Sequence, residues 1–422
     1  MFEHFKNGTK IKQVSREVEE QIAAIHRAID ETVETNQFRV LQSFQKHKVS
    51  ESHFNPSTGY GYDDTGRDVL ACIYADVFGA KAGLVRPQII SGTHAISIAL
   101  FGILRPGDEL LYITGKPYDT LEEIVGIRGT GNGSLKEFGI SYNTVELSKD
   151  GSIDWEAIRQ AIKPHTKMIG IQRSKGYATR PSFTVAEIGE MVRFVKEIKN
   201  DVVVFVDNCY GEFVEQLEPC HVGADLMAGS LIKNPGGGIA KTGGYIVGKQ
   251  EYVDACSYRM TSPGIGAEAG ASLYSLQEMY QGFFLAPHVV GQALKGAVYT
   301  SAMLERFGME PSPKWDAKRT DLIQAVVFRD REKMISFCQA IQYASPVNSY
   351  VTPYPAYMPG YEDDVIMAAG TFIQGASIEL TADGPLRDPY VAYVQGGLTY
   401  AHVKMAICLA IDRLMENNLI DF

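Results

Sequence analysis

Residues 202–233 read VVVFVDNCYGEFVEQLEPCHVGADLMAGSLIK, and this stretch decides the fold. It opens with five apolar residues, 202–206, which are β-branched or aromatic and do not alternate with polar ones. That pattern is typical of a strand buried on both faces of a parallel sheet. Asp207 follows where this strand should end, and open α/β sheets bind ligands beyond the carboxyl ends of their strands. A second apolar run, 226–232, contains Ser230 and leads to Lys233 and a glycine-rich turn.

An acid and a lysine delivered by successive strands suit one cofactor especially, pyridoxal phosphate. Its aldehyde reacts with a lysine amine, and its ring nitrogen needs an anion to stay protonated. We therefore predict that Asp207 and Lys233 converge on the two ends of one pyridine ring. The sequence predicts no metal site.

The overall composition restricts the class of protein. The chain has 422 residues, of which 45% are hydrophobic, so it can bury a large core and should form two or three domains. Its net charge of −10 argues against nucleic acid or an anionic membrane as a partner. We find no secretory signal and no run of eighteen apolar residues. The six scattered cysteines are expected to be reduced, which predicts a cytoplasmic protein.

Upstream, a strand and a helix are joined by a turn of small residues, Ser91-Gly92-Thr93. Backbone N–H groups at a helix N-terminus point outward, and the helix dipole favours an anion there. This turn is therefore either a phosphate cup or an ordinary strand–helix connection. Asp207 and Lys233 downstream favour the phosphate cup.

Strands and helices alternate from about residue 80 to 250, which predicts a mixed, mainly parallel sheet. Before this region come a predicted amphipathic helix or two over 11–47 and a polar loop over 52–68. After it come a long helical region, roughly 270–307, and a smaller α+β domain. Tyr118 lies just beyond another predicted strand and could stack on a flat cofactor or simply lie on the surface.

Four motifs of the chain, SGTHA, PYDT, VFVDNCYGEF and ADLMAGSLIKNPGGG, resemble those of fold-type-I pyridoxal phosphate enzymes. They are most similar to the methionine γ-lyase/cystathionine β-lyase group, in particular its aluminium-resistance branch of carbon–sulfur lyases. The resemblance implies an aspartate aminotransferase-like α/β large domain with a mainly parallel seven-stranded sheet, plus a smaller α+β C-terminal domain. We accordingly predict a helical arm and inter-subunit loop over 1–65, a cofactor-binding domain over 66–290 and a small domain over 291–422.

The resemblance also implies roles for individual residues. Lys233 would form the internal aldimine, Asp207 would pair with the ring nitrogen, and Tyr118 would stack on the ring and assist the leaving group. Asp207 as a helix cap and Lys233 as a surface lysine are the structural alternatives. The other predicted cofactor contacts come from the turn before the helix at residue 94, from the apolar run 226–232 and from the polar loop 52–68. They are Ser91, Gly92, Thr93, His94, Ser230, Tyr60, Tyr62 and Arg67.

The chain also departs from the pattern of the well-known lyases. Their loop to the neighbouring subunit has an arginine soon after a tyrosine, whereas here the nearest arginine, Arg67, lies at a helix start. Ile232 replaces a hydroxyl residue before the lysine, and His94 stands where small residues are usual. Arg387 is the candidate for the substrate carboxylate, because arginine binds carboxylates bidentately; a structural ion pair is the alternative.

The resulting expectation is a pyridoxal phosphate-dependent carbon–sulfur lyase that acts by β- or γ-elimination on cystathionine, methionine, cysteine or homocysteine. The alternatives are an aminotransferase, decarboxylase or aldolase, or a cofactor-binding stress-resistance protein with little turnover. The polar loop, which could complete a neighbour's phosphate site, and the charged N-terminal helix predict a homodimer or homotetramer.

Overall fold

The structure is a computed structural model and describes residues 2–178, 180–358 and 361–421. The chain divides into two compact units, one formed by Gln37–Phe284 and the other by the residues up to Asn36 and from Leu285 onward. Two long helices, α1 (Gly8–Lys46) and a second one over Leu276–Arg306, contribute to both units. The three-part division predicted from the sequence stays a prediction.

A seven-stranded sheet organises the unit Gln37–Phe284. The elements after α1 are, in chain order, α2 (Thr65–Val77), β1 (Ala82–Arg86), α3 (Gly92–Ile103), β2 (Glu109–Tyr112), α4 (Asp119–Val125), β3 (Ser141–Thr144), α5 (Trp155–Ala161), β4 (Thr166–Gln172), α6 (Val185–Ile198), β5 (Val203–Asp207), β6 (Leu226–Ser230), β7 (Gly244–Gly248) and α7 (Gln250–Met260). The strand order is β1-β7-β6-β5-β4-β2-β3. Only β7 runs against its neighbours, so the sheet is mainly parallel, as predicted.

The central strand β5 is buried on both faces, as its unbroken apolar run predicts. Val203 and Phe205 belong to the hydrophobic core on one face of the sheet, with residues of α3 and α7. Val204 and Val206 belong to the core on the other face, with residues of α5 and α6. Side chains of a strand alternate between faces, so this packing fixes the register that leaves Asp207 at the end of the strand.

Capping residues set several helix starts in this unit. The Thr184 hydroxyl accepts from Glu187 N–H, and the Glu187 carboxylate accepts from Thr184 N–H, which completes a capping box at α6. The predicted helical region 270–307 begins later, at Leu276 of α8 (Leu276–Arg306). Gly270 and Leu273 have φ values of +122° and +52°, which a right-handed helix does not accommodate.

The second unit contains a five-stranded antiparallel sheet with helices. Its elements are β8 (Glu310–Ser312), β9 (Gln324–Val327), α9 (Arg331–Tyr343), β10 (Val365–Ala368), β11 (Thr381–Pro385), β12 (Val391–Gln395) and α10 (Tyr400–Glu416). The strand order is β10-β11-β12-β9-β8. An apolar cluster joins the sheet to α9, α10 and the N-terminal part of α1. Among the helices of the described ranges, none has a stretch long and apolar enough to cross a bilayer.

Candidate active site

Asp207 ends β5 and is buried at the carboxyl edge of the sheet. Its Oδ1 accepts a hydrogen bond of 3.1 Å from the backbone N–H of Cys209. Burial raises the pKa of the Asp207 carboxyl above its ordinary value, although Lys233 and the Cys209 N–H act in the opposite direction. The site therefore holds an acid that a cationic partner would stabilise as the carboxylate.

Lys233 follows β6, the strand that pairs directly with β5. Its Nζ lies 4.0 Å from the ring centroid of Tyr210. Burial alone would lower the pKa of the Lys233 amine, but Cys209, Tyr210 and Asp207 nearby raise it above the ordinary value. The amine is thus held as an ammonium among groups that favour its charge.

Asp207 and Lys233 line one cavity, as the predicted cofactor site requires. Ser230 and Tyr118 line it too, as does the turn before α3. The full lining is Ser91, Gly92, Thr93, Ile96, Tyr118, Thr120, Leu121, Gln172, Ser174, Gly176, Asp207, Cys209, Tyr210, Ser230, Ile232 and Lys233. The structure therefore brings together the acid, the amine, the tyrosine and the small-residue turn that sequence analysis identified separately.

One end of the cavity suits an anion. α3 begins here, and the Ser91 hydroxyl caps it by accepting from His94 N–H at 3.0 Å. Gly92 lies so close to its neighbours that an added Cβ would be 3.1 Å from Cys209 Sγ and 3.4 Å from Ser230 Cβ. Ser230 Oγ is buried and has no hydrogen-bond partner among residues 2–178, 180–358 and 361–421. A phosphate at the helix N-terminus would supply that missing partner, so the residues fit pyridoxal phosphate.

Tyr118 lies at the wall of the cavity, directly before α4. A Cβ atom added to Gly176 would be only 2.8 Å from the Tyr118 ring, so the glycine lets the two segments approach. Thr93 at the phosphate end and Thr120 in α4 share a hydrogen bond of 2.9 Å between their hydroxyls. The predicted stacking role of Tyr118 stays a prediction.

Four predicted cofactor contacts lie outside the lining of this cavity: Tyr60, Tyr62, Arg67 and His94. Tyr60 and Tyr62 are 72% and 57% exposed and stack on each other, with ring centroids 5.4 Å apart. Arg67 is buried and donates to the carbonyls of Gly61 and Gly270 at 2.6 and 3.0 Å. These hydrogen bonds hold the loop in shape, which is a structural use of the arginine.

His94 and Arg387 also have local partners. The His94 Nδ1 accepts from Ile90 N–H at 3.2 Å, and burial lowers the pKa of its imidazole. Arg387 lies in the second unit, where its half-exposed side chain donates to Asp363 at 3.0 Å. This contact is the ion pair weighed as the alternative. Binding of the substrate carboxylate by Arg387 stays a prediction.

The cavity contains residues that sequence analysis missed, chiefly Gln172, Cys209 and Tyr210. Gln172 ends β4 beside Asp207, and its Nε2 donates to the Ser174 carbonyl at 2.8 Å. Its Oε1 is buried without a partner within the described ranges, so it can accept from a bound ligand. The strand-end rule that identified Asp207 could have found Gln172 as well.

A buried carboxyl, Glu212, lies behind the cavity against β6 and β7. Tyr245 O–H donates to Glu212 Oε1 at 2.7 Å, and a Cβ added to Gly229 would be 2.4 Å from the same oxygen. Burial raises the pKa of the Glu212 carboxyl to about 8, so Glu212 is mostly protonated at neutral pH. Only glycine fits at position 229 of β6 while this acid occupies its place.

Glu212 should make stability depend on pH. The folded protein keeps this proton up to about pH 8, whereas the unfolded chain releases it near pH 4.5. Its stabilising contribution is therefore complete below about pH 4.5 and is lost as pH rises to about 8. In the wild type, Glu212 should make the free energy of unfolding fall by about 1.4 kcal/mol for each unit that the pH rises within this range. We expect Glu212→Gln to abolish this contribution to the slope.

Urea unfolding of the wild type and of Glu212→Gln between pH 5.5 and 7.5 measures this slope. The exposed Glu190 on α6 supplies the control, because Glu190→Gln should leave the pH dependence of the wild type unchanged. Parallel wild-type and Glu212→Gln profiles would show that Glu212 is ionised throughout this range.

Comparison with known proteins identifies the family of the chain. The model of the methionine gamma-lyase family matches residues 11–415. The chain belongs to the methionine gamma-lyase family. This is a family of pyridoxal phosphate-dependent lyases, so the predicted family, enzyme class and cofactor are confirmed at the level of the family.

Three relatives match over nearly their whole length. The YnbB protein of Bacillus subtilis strain 168 is 75% identical over 421 residues, 100% of both chains. A Listeria monocytogenes structure, described as a candidate cystathionine beta-lyase involved in aluminium resistance, is 67% identical with TM-score 0.94, covering 95% of this chain and 99% of that one. A Clostridium novyi carbon-sulfur lyase involved in aluminium resistance is 47% identical with TM-score 0.93, covering 96% of each.

A more distant structure supports the fold alone. The pyridoxal-5'-phosphate dependent protein YhfS of Escherichia coli is 18% identical, with TM-score 0.60, and covers 91% of this chain and 96% of that one. Together with the mixed seven-stranded sheet, this confirms the predicted fold class.

Among the residues described, no cluster of three or more His, Cys, Asp or Glu side chains could hold a metal ion.

Proposed function

We propose that this member of the methionine gamma-lyase family is a pyridoxal phosphate-dependent carbon–sulfur lyase that eliminates a thiol from a sulfur-containing amino acid. The observation that carries the proposal is the single cavity lined by Asp207, Lys233 and Ser230. These residues match the three chemical demands of the cofactor, which are an anion for the ring nitrogen, an amine for the aldehyde and donors for the phosphate. The names of the Listeria and Clostridium relatives point to the same reaction class.

Each residue would have a distinct part in the reaction. When bound, pyridoxal phosphate supplies an electron sink for the charge left on the substrate α-carbon. Asp207 would hold a proton on the ring nitrogen, a task that its burial strengthens because an interior carboxylate attracts a cation more strongly. Lys233 Nζ, in its neutral amine form, would take the α-proton of the substrate and become an ammonium. Tyr118 would assist departure of the sulfur leaving group, and Ser230 with the α3 N-terminus would hold the phosphate.

The test is a substrate screen with cystathionine, cysteine, homocysteine and methionine. We expect at least one of them to release keto acid, ammonia and a sulfur product in equal amounts. The Lys233→Ala protein is the blank that corrects for reaction with free cofactor. Amino transfer that consumes a second keto acid and releases no thiol would replace the lyase by an aminotransferase.

We also propose a homodimer or homotetramer. Tyr60 and Tyr62 form an exposed stacked pair outside the cavity, while Arg67 holds their loop through two backbone carbonyls. A preformed aromatic loop of this kind can complete the site of a second copy at little cost in ordering.

We also propose a cytoplasmic location. All six cysteines are free thiols, which supports this location.

The oligomer gives a measurable expectation. Analytical ultracentrifugation should show a dimer or a larger species, and replacing both Tyr60 and Tyr62 with serine should lower the affinity for pyridoxal phosphate. Replacing Tyr350, which is also exposed, is the control and should leave cofactor affinity unchanged. A monomer with full activity would rule the assembly out.

A further inference from the structure

Tyr210 has a backbone conformation that bulky residues avoid. Its φ is +73°, in the left-handed region where a side chain with a Cβ is disfavoured and glycine is the usual residue. Gly211 comes next in the chain, and its N–H donates to the Asn208 carbonyl to close the turn. Strained backbone of this kind persists where the side chain has a task. The ring of Tyr210 is therefore the part to explain.

The face of that ring is directed at the lysine. Lys233 Nζ lies 4.0 Å from the ring centroid, well within the distance of about 6 Å for a cation–π contact. Both residues line the cavity of the active site. The Tyr210 ring therefore contacts the Lys233 amine inside the cavity in which the amine is proposed to react.

We infer that Tyr210 is a positioning residue that holds Lys233 and stabilises its ammonium form through the face of the aromatic ring. The inference rests on the proposed function and adds a residue to it. The charged and titratable groups that face Lys233 are Asp207 at the end of β5 and Cys209, Tyr210 and Glu212 in the segment that follows. Of these, Tyr210 has its ring over the nitrogen, and its side-chain hydroxyl also acts on Lys233 as a hydrogen-bond partner, so the two contributions have to be separated.

The contact matters at one moment of the reaction. Lys233 Nζ becomes positively charged as it takes the α-proton from the substrate. A ring face in a site largely shielded from water stabilises that developing charge more than an exposed one would. After the proton transfer, the same attraction holds the ammonium of Lys233 in the cavity. Tyr210 itself gives or takes no proton in this step and acts through Lys233.

Two variants separate the ring from the hydroxyl. Tyr210→Leu removes the ring, and we expect kcat to fall roughly tenfold or more while KM changes less than about threefold. Tyr210→Phe keeps the ring and should stay within about threefold of the wild type in both constants. A phenylalanine variant as slow as the leucine variant would assign the effect to the hydroxyl and overturn the inference.

A second measurement uses the cofactor-free protein and needs no turnover. Trinitrobenzenesulfonate reacts only with the neutral amine, and peptide mapping reports its reaction with Lys233. Losing the ring should lower the pKa of Lys233 by about one unit, so the leucine variant should label about tenfold faster. Tyr210→Phe keeps the ring and is the control, which should label at about the wild-type rate. Equal rates in wild type and leucine variant would overturn the inference.

Urea unfolding of the cofactor-free proteins tests for a merely structural role. Truncation of an aromatic residue whose role is core packing would lower the folding equilibrium constant by far more than a hundredfold. For Tyr210→Leu we expect a change below about tenfold, and a larger loss would assign Tyr210 to packing and overturn the inference. The proposed function fails separately, if the wild type binds no pyridoxal phosphate at Lys233.

Discussion

Lys233→Ala is expected to abolish the yellow visible band of the purified protein together with its lyase activity. The amine of Lys233 is a group in the cavity that can bind the cofactor aldehyde covalently, and we propose that it is also the base that takes the α-proton. Loss of both roles should reduce turnover by at least about a thousandfold, since removal of a general base alone costs about 10²- to 10⁴-fold.

Absorption spectra and borohydride reduction followed by peptide mapping measure this outcome. Lys241→Ala is the matched control, because Lys241 lies eight residues further on, is largely exposed and pairs with Glu278 on the surface. It should keep both the band and the activity. A visible band that survives in Lys233→Ala, with the cofactor still covalently held, would move the covalent link to another lysine.

Asp207→Asn should leave the cofactor bound but reduce turnover by about 10²- to 10³-fold, the usual loss when one electrostatic partner is removed from an active site. The amide keeps the shape of the carboxyl and can still accept from Cys209 N–H. It cannot balance a positive ring nitrogen, so the ring nitrogen should lose its proton. Because Asp207 is buried, little water is present to replace the missing charge.

An aspartate at the other end of β5 supplies the control for Asp207→Asn. Asp201 lies just before β5, at the opposite end of the sheet, and pairs with Lys199 in an exposed position. Asp201→Asn should behave as the wild type in spectrum and in turnover. If Asp207→Asn retained full kcat, the reaction would not depend on a protonated ring, and a lyase mechanism through Asp207 would be excluded.

The sequence was sufficient to place Asp207 and Lys233 in one cavity, for a physical reason. Uninterrupted apolar runs identify strands buried on both faces, and parallel neighbours end at the same edge of the sheet. The reversed direction of β7 could not be predicted in this way. The connection from β6 to β7, residues 231–243, has 243 − 231 + 1 = 13 residues, which is long enough for a parallel crossover as well as for an antiparallel connection.

Other features depend on contacts that no local pattern encodes. The guanidinium of Arg67 binds the carbonyl of Gly270, about two hundred residues away along the chain. The left-handed backbone of Tyr210 is unexpected beside a glycine that could have taken the strained position. Such features follow from how the segments meet in space, whereas capping boxes and strand ends follow from neighbouring residues.

The pairing of β1 with β7 has a consequence for synthesis on the ribosome. β1 is the first strand of its sheet to be made, but its partner in the register Ala82↔Gly248 emerges 248 − 82 = 166 residues later. At about 5–20 residues per second, an apolar strand edge stays open for roughly 10–30 s. During that interval the nascent chain is exposed to wrong pairing with other chains. Chaperone capture of nascent chains should therefore be strongest before β7 is translated and should decline once it has emerged.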